Sequence, residues 1–122
     1  MKSLVLLAIL AVSAQTFATS LAPLECSSGT MGEDNYVSVS MLNGAVEFQM
    51  HETFIAASPA ETKVTGNTLV IVNKTLKGNA EGDEFTAKTN ARLVYRRSRN
   101  TLKVTLVLDG NRVLSGRTLK CK

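Results

Sequence analysis

From Tyr36 onward, apolar and polar residues alternate one by one through much of the chain, which is the period of an extended strand with one dry face. Tyr36 to Met41 sets Val37, Val39 and Met41 on one side and Tyr36, Ser38 and Ser40 on the other. Asn43-Gly44 follows, and Ala45 to His51 resumes the alternation with Val46, Phe48 and Met50 on the dry side. Asn-Gly between two such runs predicts a two-residue hairpin turn with positive φ at both positions. Thr53 to Ala57 is short and apolar and stops at Ser58-Pro59. It fits either a strand carried past a bulge at His51-Glu52 or a single helical turn. Lys63-Val64-Thr65 and Thr68 to Val72 flank Gly66-Asn67, a second hairpin signal with glycine first. Leu69 to Val72 is apolar on both faces, which predicts a strand covered on both sides. Lys77 to Glu84 reads as a polar loop.

The last third carries the strongest pattern. Phe85, Ala87, Thr89, Ala91, Leu93 and Tyr95 share one face, against Lys88, Asn90, Arg92 and Arg96 on the other. After a turn over Arg96 to Asn100, Leu102, Val104, Leu106 and Leu108 alternate with Thr101, Lys103 and Thr105. Asp109-Gly110-Asn111 makes the next turn. The final run holds Val113, Leu114, Leu119 and Cys121, and a bulge at Gly116 would bring Leu114 and Leu119 to one face. About eight strand segments with closely spaced turns predict an all-β fold, a small antiparallel barrel or sandwich. No long amphipathic helices alternate with the strands, so a parallel α/β sheet is disfavoured.

The N-terminus changes the picture by adding a compartment. Lys2 precedes an apolar run from Leu4 to Val12, and small residues follow at Ser13, Ala14, Thr16 and Ala18, the order of a secretory signal peptide. Cleavage falls after Ala18, or alternatively after Ala14. The run is shorter than the roughly 20 apolar residues of a spanning helix, and no later run approaches that length. Residues 1–18 are therefore expected to be the signal peptide and 19–122 a single β domain. The two cysteines, Cys26 and Cys121, stand near the two ends of that domain. In an exported chain an even, minimal count predicts a disulfide between them. A redox pair or a metal site is disfavoured, because neither CxxC spacing nor a nearby histidine accompanies them.

The formal net charge of +4 conceals a division along the chain. Residues 19–87 carry three lysines against nine carboxylates, whereas residues 88–122 carry ten lysines and arginines against Asp109 alone. Arg92, Arg96, Arg97, Arg99 and Lys103 form a candidate face for an anionic partner: a glycan, a lipid head group or another protein. The competing expectation is that acidic and basic strands lie side by side and their charges pair or solvate across the sheet. Nucleic acid is disfavoured by export and by the scarcity of aromatics, which in the mature chain are Tyr36, Phe48, Phe54, Phe85 and Tyr95.

Catalytic and cofactor signatures are sparse. His51 is the only histidine, and by strand alternation it joins Glu47 and Gln49 on the polar face as a solvated residue. His51-Glu52 has Ile55 where a HExxH zinc site needs its second histidine. Glu81, Asp83 and Glu84 lack the ordered spacing of a calcium loop and read as a solvated turn. No serine sits in a nucleophile elbow and no glycine loop joins a strand to a helix as phosphate cradles do. A carboxylate pair of glycosidase type depends on three-dimensional separation and stays open. The expectation is a non-enzymatic protein without catalytic, cofactor-binding or metal-ligating residues. Asn73-Lys74-Thr75 matches the N-glycosylation sequon.

Cys26-Ser27-Ser28-Gly29-Thr30, the hairpin Asn43-Gly44-Ala45-Val46, the stretch from Ala91-Arg92 to Tyr95 and the ending Leu119-Lys120-Cys121-Lys122 resemble the small periplasmic inhibitors of c-type lysozyme. The resemblance covers about a fifth of residues 19–122 and implies an eight-stranded antiparallel barrel. That family's inhibitory Ser-Gly-x-x-Tyr is not matched at Ser28-Gly29 or Ser115-Gly116, and its Thr-Lys-Gly is interrupted as Thr75-Leu76-Lys77-Gly78. No inhibitory residue is carried over. Two functions follow as expectations: an exported protein that binds an anionic partner through its basic last strands, or an inhibitor of a host or bacterial hydrolase.

Overall fold

The computed structural model describes residues 24–122; the expected signal peptide, 1–18, lies outside the described residues. Nine strands follow in order: β1 Leu24–Ser28, β2 Val37–Leu42, β3 Ala45–Met50, β4 Thr53–Ala57, β5 Lys63–Thr65, β6 Thr68–Ala80, β7 Asp83–Arg96, β8 Thr101–Leu108 and β9 Asn111–Cys121. Every pairing is antiparallel, in the order β4-β3-β2-β1-β9-β8-β7-β6, and β4 returns to β6 to close an eight-stranded barrel. Closure rests on three register pairs, Thr53 to Ala80, Phe54 to Asn79 and Ile55 to Gly78. The short β5 pairs with the other end of the same β6 edge, at Leu69 and its neighbours.

Tight turns set this topology. Asn43-Gly44, Glu81-Gly82 and Asp109-Gly110 each have positive φ at both positions, the turn whose twist matches antiparallel strands. At Gly66-Asn67 only the first position is positive, as the glycine-first signal predicts. His51-Glu52 is also a two-residue hairpin turn, with His51 at φ 55° and Met50 facing Thr53. Thr53–Ala57 is therefore a strand, and His51 sits in a turn rather than on the polar face of β3.

Two further expectations are corrected. Lys77 to Glu84 is not a loop: β6 continues to Ala80 and β7 starts at Asp83, with only Glu81-Gly82 between them. Polar side chains mask the strands there because Lys77, Asn79 and Glu84 face outward, while inward Gly78 carries no side chain. Phe85 lies across Gly78 instead; a Cβ on Gly78 would stand 2.5 Å from Phe85 Cζ and 2.7 Å from Phe54 O. Leu69–Val72 is not covered on both faces either: Leu69 and Ile71 are buried, but Val72 is 60% exposed. A bulge at Val72-Asn73 opposes Asn90, whose side chain accepts the Asn73 N–H at 2.9 Å and donates to Asn73 Oδ1 at 3.3 Å. Asn73 of the sequon is thus exposed at this bulge.

The core fills the barrel. Val39, Phe48, Leu69, Leu93, Leu102, Val104, Leu106 and Leu119 have no exposed surface, each fully buried large side chain contributing about 1.5–3 kcal/mol. Among the described residues Thr89 is the one buried polar side chain, and its hydroxyl donates to Ala87 O at 3.0 Å. Most charged side chains face outward and most large apolar ones inward, the reverse of an outer-membrane barrel. No helix of the described residues is long and apolar enough to cross a membrane. The predicted disulfide is present: Cys26 and Cys121 face each other across β1 and β9 with S–S 2.00 Å.

Candidate functional site

Outward positions of β7, β8 and β9 converge on one concavity. Even-numbered residues of β7 point outward from Lys88 to Arg96, so Arg92, Val94 and Arg96 form a row. The register sets Thr105 beside Arg92, Lys103 beside Val94 and Thr101 beside Arg96. On the far side of β8, Thr118 pairs with Lys103. Opposite Thr105 the last strand bulges at Ser115-Gly116, where Gly116 has φ 59° and its N–H donates to Thr105 Oγ1 at 3.1 Å. The bulge dents the wall. A Cβ on Gly116 would meet Lys103 Cε at 3.0 Å, so the Lys103 stem passes over the glycine.

Arg99 reaches the same hollow from the β7–β8 turn. That turn is fixed by Asn100, which sits at φ 50° and takes the Tyr95 hydroxyl on Oδ1 at 2.7 Å. Its Nδ2 donates to Cys121 O at 2.7 Å, and its carbonyl accepts the Cys121 N–H at 2.9 Å. The resulting concavity, of about 660 Å³, is lined by Arg92, Arg96, Arg99 and Lys103 around Thr101, Thr105 and Thr118, with Val94 and Gly116 completing it. No carboxylate lines it. Four of the five residues of the candidate anionic-ligand face are thereby brought together; Arg97, in the same turn as Arg99, is exposed but not part of the lining.

The competing expectation is that acidic and basic charges pair or solvate across the sheet; no ion pair forms within this face, and Arg92, Arg96, Arg99 and Lys103 are all exposed to solvent. Among the described residues the only close contact between a basic and an acidic side chain is His51 Nε2 with Asp34 Oδ1, 3.4 Å apart. Arg117 also departs from the basic wall. The β9 bulges give it the parity of Leu119, and its Nη2 donates to Asn35 O at 2.8 Å and Ser28 Oγ at 3.2 Å, pinning the loop after β1.

Two other depressions differ from this one in charge. Where β4 meets β6, about 510 Å³ is lined by Glu47, Phe54, Lys77, Glu84 and Phe85 among others, mixing both charge signs with apolar rings. At the barrel end bearing the β3–β4 turn, about 430 Å³ is lined by Asp34, Tyr36, His51, Leu108 and Arg117 among others, and Asp34 is its single carboxylate. No group of three or more potential metal-ligating side chains gathers among the described residues.

Sequence reasoning missed the threonine floor. Thr101 and Thr105 were readable as outward positions of β8, but only the inter-strand register brings Thr118 beside them. Comparison with family models, with curated proteins and with solved structures finds no match to this chain. The site is accordingly read from its own chemistry.

Proposed function

We propose that this chain is a non-enzymatic, exported binding protein that holds an anionic ligand in the concavity of β7, β8 and β9. The observation that carries the reading is the ring of Arg92, Arg96, Arg99 and Lys103 around one hollow without a carboxylate in its lining. Like charges held together raise the energy of the folded state unless counter-charge is supplied. Here the lining provides none, so an external anion fits the role. A disulfide is at home in an oxidising compartment, which is consistent with export.

The test is binding to a soluble polyanion such as heparin across a salt series, beside the double variant Arg92→Glu/Arg96→Glu. Affinity should fall steeply between low and physiological salt, and the double variant should lose binding while keeping its circular dichroism. Salt-independent binding, or no binding to any polyanion, would refute the proposal.

A second reading, inhibition of a basic hydrolase, is favoured by one feature. The barrel end away from Arg96 and Arg99 carries Glu33, Asp34, Glu52, Glu81, Asp83 and Asp109 beside Arg112 and Arg117, a net acidic surface suited to a cationic enzyme. Unchanged activity of c-type lysozyme in the presence of excess protein would eliminate it.

A further inference from the structure

Resting on the anion-site reading above, we infer that the concavity selects tetrahedral oxyanions, phosphate or sulfate esters carried at least two to a ligand, over carboxylates. The first argument is the balance of donors and acceptors. The polar side chains of the lining are three guanidinium groups, one ammonium and three threonine hydroxyls; the cations can only donate. Thr105 Oγ1 already accepts the Gly116 N–H, so its own proton is free to donate outward. Thr101 and Thr118 hydroxyls are not engaged by any side-chain hydrogen bond within the described residues. A neutral sugar would bring hydroxyl donors to a site whose side-chain acceptors are three threonine hydroxyls, with no carboxylate, amide or imidazole beside them. An ester of phosphate or sulfate brings oxygens that only accept.

The second argument is direction. Thr101 and Thr105 are half-buried where Arg92, Arg96 and Lys103 are exposed, and their short side chains hold the hydroxyls nearer the sheet than the long cationic ones reach. Donors therefore approach a seated group both from below and from the sides. A planar carboxylate is satisfied in its plane by one guanidinium fork, and a hydroxyl beneath that plane gains little from it. Three oxygens arranged tetrahedrally use both levels.

The third argument is charge. One phosphate monoester carries about −1.5 to −2 at neutral pH, and a sulfate ester carries less. Four cations surround the hollow, so at least two ester groups are needed to match them. That requirement points to a ligand bearing a cluster of esters.

The experiment is calorimetric titration of the full chain, at one fixed ionic strength, with inositol hexakisphosphate, an oligomeric dextran sulfate and polyglutamate of matched charge. The phosphate or sulfate probe should bind tighter than polyglutamate by about ten-fold or more, the effect of one or two additional hydrogen bonds. Whichever of the two wins identifies the source of the oxyanion. Thr118→Val, at an exposed position, should weaken the preferred probe by roughly 2- to 10-fold and by more than it weakens polyglutamate, so that the preference between the two shrinks. Equal affinity for all three probes, or a Thr118→Val chain that keeps its full preference, overturns the selectivity while leaving the basic site standing. Binding to none of the three overturns the anion-site reading as well.

Discussion

Removing the disulfide by Cys26→Ala with Cys121→Ala attacks the barrel at a seam that has little else. β1 and β9 share only two register pairs, Cys26 to Cys121 and Ser27 to Lys120. Beyond them, the Lys122 N–H donates to Glu25 O at 2.9 Å and Arg117 Nη2 to Ser28 Oγ at 3.2 Å. The bridge spans 95 residues of sequence, and in the chain-entropy model a loop of that length restricts the unfolded chain by roughly 4.7 kcal/mol, with measured losses for small exported domains near 2–5 kcal/mol. A domain of this size has a total stability of about 5–15 kcal/mol. The bridge can therefore account for a third or more of it.

Urea unfolding followed by circular dichroism gives the comparison, oxidised chain against the double alanine variant. A loss of about 3 kcal/mol corresponds to a melting point lower by roughly 12–24 °C for a domain of this length. Alanine is preferred to serine because Cys26 is buried, and a hydroxyl there would add a desolvation cost of its own. If the effect acts through the unfolded chain, the variant should also show a larger denaturant slope, since its unfolded state is less compact. A loss under about 1 kcal/mol would refute the reasoning, because it would mean that the seam is held by its neighbours and the unfolded chain is compact without the bridge.

Other substitutions separate structural from binding roles. Gly78→Val should destabilise by at least about 1–3 kcal/mol in the same assay, because the added carbons meet Phe85 and the immovable Phe54 carbonyl. Asn100→Ala removes both side-chain bonds and leaves alanine at positive φ, so a loss of about 1–3 kcal/mol is expected, together with weaker anion binding as Arg99 loses its anchor. Arg96→Gln should leave the unfolding midpoint unchanged or raise it while weakening anion binding, whereas Arg117→Ala should lower the midpoint and spare binding. A falling midpoint for Arg96→Gln would indicate a structural role for that arginine.

How much of this was legible depends on how local the cause is. Asn43-Gly44 and Gly66-Asn67 declare their turns in two residues, and the alternation from Phe85 to Tyr95 declares a strand and its faces. Gly116 likewise marked the bulge that brings Leu114 and Leu119 to one side, and both are buried. The β6–β7 turn stayed hidden because Glu81-Gly82 lies within a polar run, where the strands are held by their register and by Phe85 lying over Gly78. Barrel closure was equally hidden, since three register pairs between β4 and β6 leave no local mark. At the site, parity placed Arg92, Arg96 and Lys103 on the outer face. The divergence of Arg97 from Arg99 is decided by the turn that Asn100 locks, and the inward turn of Arg117 by the bulges in β9.

The division of charge in the sequence could have vanished on folding, had acidic strands alternated with basic ones around the barrel. The topology prevents this. β7, β8 and β9 are consecutive in the wall as they are in the chain, so the basic tail forms one continuous panel. The outward cross-strand neighbours within that panel are Thr105 for Arg92, Val94 and Thr118 for Lys103, and Thr101 for Arg96; none is a carboxylate. Glu52, Glu81, Asp83 and Asp109 occupy one end of the barrel, while at the other Arg96, Arg97, Arg99, Lys120 and Lys122 outnumber Glu25 and Glu61. Consecutive antiparallel strands thus convert a sign change along the sequence into a field along the barrel axis. Such a field draws an approaching polyanion toward the Arg96–Arg99 end and repels it from the Glu81 end. The concavity opens beside the attractive end, where that field would deliver the anionic ligand proposed for it.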